Sequence, residues 1–139
     1  MSEVFKGSRL SVGGLDLLIE YRELGLDGGP CLHLLQPTEG GSARQLIRFD
    51  LFRGDPHYHF DPEGRNWQVG LDAESTEEAV EWAVNQLAVN LRGFLEVAGF
   101  VEVANSVDMA EMRRLAPRIR QLLLHFSPDG AEAGSGAAD

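Results

Sequence analysis

Apolar residues recur along this chain with two different periods, and the change of period divides it in half. From Leu15 the pattern alternates: Leu15, Leu17, Ile19 and Tyr21 are interleaved with Asp16, Leu18, Glu20 and Arg22. A period of two predicts a half-buried strand. Gly13-Gly14 before it suits a hairpin turn from a short strand at Arg9–Val12, and Asp27-Gly28-Gly29-Pro30 reads as the next turn. A third strand is expected at Cys31–Gln36, with Leu32 and Leu34 on one face and His33 on the other. The segment Pro37–Ser42 reads as a loop. Arg44–Phe52 reads as the longest strand, with Ile47, Phe49 and Leu51 on one face and Arg48 and Asp50 on the other. His57–Phe60 and Trp67–Leu71 follow. Asp61-Pro62-Glu63-Gly64 between them has the proline and glycine positions of a type I turn. Connections this short make neighbouring strands antiparallel.

After Leu71 the spacing becomes helical. Ser75 and Glu78 make a capping box, and Val80, Val84, Leu87, Leu91, Leu95 and Ala98 recur at threes and fours. Gly99 suits the residue just past the helix end. Asp108 and Glu111 repeat the capping signal before Met112, Leu115, Ile119, Leu122, Leu123 and Phe126. Pro117 falls inside this second stripe, whose phase continues across it, so a kink or brief break is expected. Val101–Val103 between the helices reads as a short edge strand. Trp82 and Val89 lie opposite the first helix's main stripe and require a second neighbour, either the last helix or another subunit. The fold expectation is α+β: an antiparallel five- to six-stranded meander with two C-terminal helices packed on one face. Residues 1–126 read as a single α+β domain. Residues 127–139 read as a disordered acidic Gly/Ala tail, because they contain no branched or aromatic side chain to bury.

Length and charge then narrow the function classes. The chain has 139 residues and a formal net charge of −10, with 12 basic and 22 acidic side chains. A chain this acidic repels phosphate backbones at long range, so nucleic acid is an unlikely partner. No apolar run approaches the ~18 residues of a membrane-spanning helix. The first residues lack the basic and apolar regions of a signal peptide, and the reading is cytoplasmic. The one cysteine, Cys31, excludes an internal disulfide and a multi-cysteine metal site; its hydrophobic strand makes it a packing residue. Arg113, Arg114, Arg118 and Arg120 fall on the polar side of the last helix, as a solvated face or a site for an anion or partner.

The densest polar cluster is Asp55-Pro56-His57-Tyr58-His59-Phe60-Asp61-Pro62. On a strand His57 and His59 point one way, and Tyr58 and Phe60 the other. With the apolar faces turned inward, Asp16, Glu20, Arg22, His33, Arg48, Asp50, His57 and His59 share the outer face of the sheet. Two imidazoles two residues apart on one strand can reach one ion, and a carboxylate such as Asp50 or Asp61 would complete a three-ligand site with an open position. His57, His59 and Asp61 are therefore candidate metal ligands. His57, His59, Asp50 and Arg48 are the candidate catalytic set. The competing reading is a solvated sheet face, in which neither histidine is buried. A metal-free catalytic or ligand surface is the third alternative.

The run Arg48-Phe49-Asp50 followed by Asp55-Pro56-His57-Tyr58-His59-Phe60-Asp61-Pro62 resembles a family of short uncharacterised bacterial proteins with a D-P-H-Y-H-F/Y-D-P signature ahead of two helices. More distantly it is similar to TumE-like toxin proteins of bacterial toxin–antitoxin pairs, which place an arginine–aromatic–aspartate strand and a proline–histidine run before a capped helix. The first resemblance implies no particular activity; the second implies a partner protein. The resulting expectation is a protein acting through binding to another protein or to itself. The alternative is a small enzyme or toxin-like protein using the His/Asp surface, with or without a metal.

Overall fold

The structure, a computed structural model, describes residues 7–125. The tail expected at 127–139, and Phe126, lie outside the described residues. Six strands follow in order: β1 (Gly7–Val12), β2 (Leu15–Leu24), β3 (Asp27–Pro37), β4 (Ala43–Asp50), β5 (His57–Phe60) and β6 (Trp67–Gly70). They form one sheet in chain order, and every neighbouring pair is antiparallel. Four helices follow: α1 (Thr76–Val89), α2 (Leu91–Val97), α3 (Val101–Ser106) and α4 (Met109–His125). The fold is α+β, and the helices cover one face of the meander. Leu17, Ile19, Leu32, Leu34, Ile47 and Phe49 from the sheet make the core with Val80, Leu87, Leu91, Leu95, Met112 and Ile119 from the helices.

The β1–β2 hairpin closes at Gly13-Gly14. Both residues have positive φ (67° and 91°), the conformation of a two-residue type I′ turn. The second hairpin departs from expectation. Its turn is Gly25-Leu26, and Asp27-Gly28-Gly29-Pro30 already belongs to β3. Those glycines serve close approach instead. Leu51 N donates to Pro30 O (2.9 Å) and Arg53 N to Gly28 O (2.9 Å), which extends pairing beyond the end of β4. Any side chain on Gly29 would collide with the Leu51 carbonyl. The β3–β4 pairing also contains a bulge. Leu34 faces Ile47 but Leu35 faces Gln45, so Leu46 is the extra residue. Leu46 and Ile47 are consequently both buried, and Arg44 lies over the Phe100 ring, 4.5 Å from its centroid.

Ser75 caps α1, accepting from Glu78 N at 3.0 Å. The single helix expected from Ser75 to Ala98 is divided at Asn90, which leaves helical geometry (φ −128°, ψ 20°). Leu87, Leu91 and Leu95 stay buried across the break, so the apolar stripe conceals it. Val101–Val103 is not a strand but the start of α3. Val103, Ala104 and Val107 are buried at helical spacing, and Val101 is exposed. At α4, Asp108 Oδ1 accepts from Glu111 N (3.2 Å), and Glu111 Oε1 accepts from Gly13 N (2.6 Å). The cap thereby ties the helix to the first hairpin. α4 continues helically through Pro117. Trp82 finds its neighbours within the chain: its ring lies 5.2 Å from Tyr58, 6.1 Å from Phe94 and 6.2 Å from Phe49. Val89 remains exposed. No helix among the described residues is long and apolar enough to cross a membrane.

Candidate functional site

The face of the sheet away from the helices carries the polar residues, and their partners divide it into separate groups. Asp16 is bonded to Ser11 and lies near Arg9. His33 lies between Glu20 (Nε2 to Oε2, 2.7 Å) and Gln45 (Nδ1 to Oε1, 3.2 Å). The third group is assembled by the β4–β5 register, which sets Arg48 opposite His59 and Asp50 opposite His57. His57 Nε2 is 3.1 Å and His59 Nε2 3.2 Å from Asp50 Oδ2. Ligand-capable atoms of Asp50, His57 and His59 all lie within 4.8 Å of one another.

This group is not the solvated surface expected from alternation. Asp50 is 2%, His59 5% and His57 7% exposed. The strand phase is as read, since Tyr58 and Phe60 do pack on the helix side. The cover comes from the strand end and the following turn. Phe52 follows the end of β4 and sets its ring edge-on to His57 at 5.7 Å. The two imidazoles shield each other at 4.9 Å, and Asn66 closes over His59 from the β5–β6 turn. A carboxylate buried this deeply needs a counter-charge. Arg48 supplies it, with Nε 3.1 Å from Oδ1 and 3.2 Å from Oδ2. Nε bonds Oδ2, and Oδ1 is left without a hydrogen bond among the described residues.

The hydrogen bonds determine where the ring protons sit. His57 Nδ1 is 2.7 Å from the Asp55 carbonyl oxygen, which can only accept, so Nδ1 carries hydrogen. His59 Nε2 is 3.1 Å from Arg48 Nη2, which can only donate, so Nε2 is an acceptor and Nδ1 carries the proton. That proton goes to Asn66 Oδ1 at 2.8 Å. His59 is thus satisfied as the neutral imidazole. Burial, reinforced by the Arg48 charge, holds its pKa below the ordinary 6.5. His57 Nε2 faces Asp50 Oδ2 at 3.1 Å, and His59 Nε2 faces the same oxygen at 3.2 Å.

Asp61 does not join this group. It adopts positive φ (56°) at the head of the β5–β6 turn, accepts from Arg65 N (3.1 Å), and lies 3.8 Å from Arg44 and Arg65. The carboxylate between the imidazoles is Asp50. Asp55 contributes its carbonyl as the hydrogen-bond acceptor, and its exposed carboxylate lies 3.7 Å from the same His57 Nδ1. Cys31 on β3, opposite Asp50 on β4, is completely buried. Its thiol is held protonated, first by burial and then by the neighbouring carboxylate. Asn66 and Phe52 also shape the site. Phe52 ends the expected strand Arg44–Phe52 in phase with Arg48 and Asp50, a signal that alternation offers, whereas Asn66 lies in a turn, where periodicity says nothing.

A six-stranded meander backed by helices, with a buried carboxylate–imidazole–guanidinium group on its other face, is the class this chain represents. It belongs to a family described as a domain of unknown function (DUF7700), whose model matches residues 9–123. No curated protein and no solved structure matches the chain.

Proposed function

We propose that the chain binds a divalent transition metal of the zinc class through His57 Nε2, His59 Nε2 and the Asp50 carboxylate. The observation carrying this reading is that both imidazoles are anchored at Nδ1 by oxygen acceptors. Both Nε2 atoms therefore turn toward one carboxylate oxygen. Carbonyl-type acceptors behind ligating histidines are the usual second layer of metal sites. The spans fit as well. Bonds of about 2.0–2.1 Å in a tetrahedral shell put neighbouring donors about 3.3 Å apart, and two of these spans are 3.1 and 3.2 Å. Three protein donors leave a position open, as in catalytic sites. Metal-free acid–base catalysis is less well supported, because every ring nitrogen of His57 and His59 already faces a protein group. The toxin-like reading of Arg48-Phe49-Asp50 and Pro56-His57 draws on this same cluster.

Calorimetry with zinc near pH 7 tests the proposal. One ion should bind per chain, and His57→Ala and Asp50→Asn should each abolish or greatly weaken binding. Affinity should fall below about pH 6, where imidazole donors are lost to protons. Absence of heat and of any rise in melting temperature would refute it.

Binding to a protein partner or a second copy is a second reading. It is supported by Trp67, Val97 and Val101, each about half exposed. Arg65 links this region by lying over Trp67 and donating to Ala98 O. Sedimentation of the parent and of Trp67→Glu at several concentrations tests it: self-association should appear in the parent and weaken in the variant.

A further inference from the structure

Arg48 occupies the one lone pair of His59 Nε2 that a metal would need. Its Nη2 donates to His59 Nε2 (3.1 Å) and its Nε to Asp50 Oδ2 (3.2 Å). A neutral imidazole nitrogen has one lone pair, so His59 Nε2 cannot accept from Arg48 and ligate an ion at once. Metal binding must break the Arg48–His59 bond. The displaced guanidinium would then stand beside a dication, with Asp50 the only buried carboxylate among the described residues of the cluster; the Asp55 carboxylate, 3.7 Å from His57 Nδ1, is 70% exposed. Within the buried group two positive charges would be uncompensated, among ligands at least nine-tenths buried, and burial of unpaired charge is costly.

We infer that the metal-loaded site takes an oxyanion ligand, phosphoryl or carboxylate, bridging the open metal position and the guanidinium of Arg48. The inference rests on the metal reading above. Arg48 suits the role. Its Nη1 takes part in neither bond, its side chain is 23% exposed, and its planar fork matches paired anionic oxygens. Among the cluster's side chains it is the most accessible to solvent. The overall charge of −10 works against anions at long range. Recognition therefore depends on the local pair of cations, and the anion should bind only once the metal is in place.

Zinc and anion are then coupled, each tightening the other by the same factor. The test is equilibrium dialysis of the full chain at matched free zinc, in chloride alone, with inorganic phosphate, and with acetate. Zinc affinity should rise about tenfold with at least one oxyanion, within the 5–150-fold usual for coupled sites. A rise with phosphate alone assigns a phosphoryl ligand, and a rise with acetate assigns a carboxylate. In Arg48→Gln, zinc affinity in chloride should increase because the competing cation is gone, and the anion effect should disappear. Equal zinc affinity in all three buffers overturns the inference and leaves the metal reading standing; no zinc uptake in any buffer overturns the metal reading itself. Retention of the full anion effect in Arg48→Gln also overturns it. If that variant does not fold, the comparison of the three buffers in the parent decides.

Discussion

Gly29 and Cys31 sit two residues apart on β3, and each has a role that its immediate sequence conceals. Gly29 in a Gly-Gly-Pro run has the look of a turn residue, yet what it provides is room for the backbone of Leu51 and Phe52. Gly29→Ala should cost about 1–3 kcal/mol or more, because the collision is with main chain that cannot rotate away. Gly70→Ala, with nothing within 4 Å of its added carbon, should stay within about 0.5 kcal/mol in the same denaturant titration. Equal costs would mean that β3 and the Leu51 segment separate freely. Phe52 lies edge-on to His57, so the Gly29 variant should also loosen the cover of the polar group. Cys31 reads as a packing residue and is one, but it packs on the Asp50 side of the sheet. Its protonated, buried thiol should resist iodoacetamide in the native protein and react on denaturation. Rapid native labelling would contradict that burial.

Helices and strands were legible where periodicity or a cap marks them. Ser75 begins α1 and Asp108 precedes α4 because each hydroxyl or carboxylate satisfies a helix N–H, a local chemistry independent of the rest of the fold. The break at Asn90 was hidden because the apolar stripe keeps its phase through it. The Leu46 bulge was hidden because one inserted residue between two apolar positions still reads as a strand. α3 was misread because Val-Glu-Val favours a strand locally, whereas burial of Val103, Ala104 and Val107 selects a helix. Pro117 is the clearest conflict between element and sequence. It is exposed in the interior of α4, so its ring contributes no core packing. Pro117→Ala should restore a backbone hydrogen bond and raise stability by about 1–2 kcal/mol, less than the ~3 kcal/mol of intrinsic preference because proline also restricts the unfolded chain. A loss of stability on chemical denaturation would mean that the proline shapes α4 for its contact with the sheet.

Across the whole molecule, the meander sets two faces against different demands. The helix-covered face holds the apolar core, and the other gathers Arg48, Asp50, His57 and His59 from two adjacent strands. Alternation indicated which residues share the face, Phe52 included, and could not indicate that they would be buried, since Asn66 closes over His59 from the β5–β6 turn. Nor could it choose between Asp50 and Asp61, because the positive φ of Asp61 takes it out of strand geometry. We propose this buried group as a metal site. The most direct measurement is an anomalous difference map, recorded across the zinc absorption edge, from crystals of the full chain grown with zinc. The account predicts one peak at about 2.0–2.2 Å from Nε2 of His57, Nε2 of His59 and a carboxylate oxygen of Asp50, with Arg48 turned away from His59. A map with no peak there, and with Arg48 still bonded to Asp50 and His59, would contradict it.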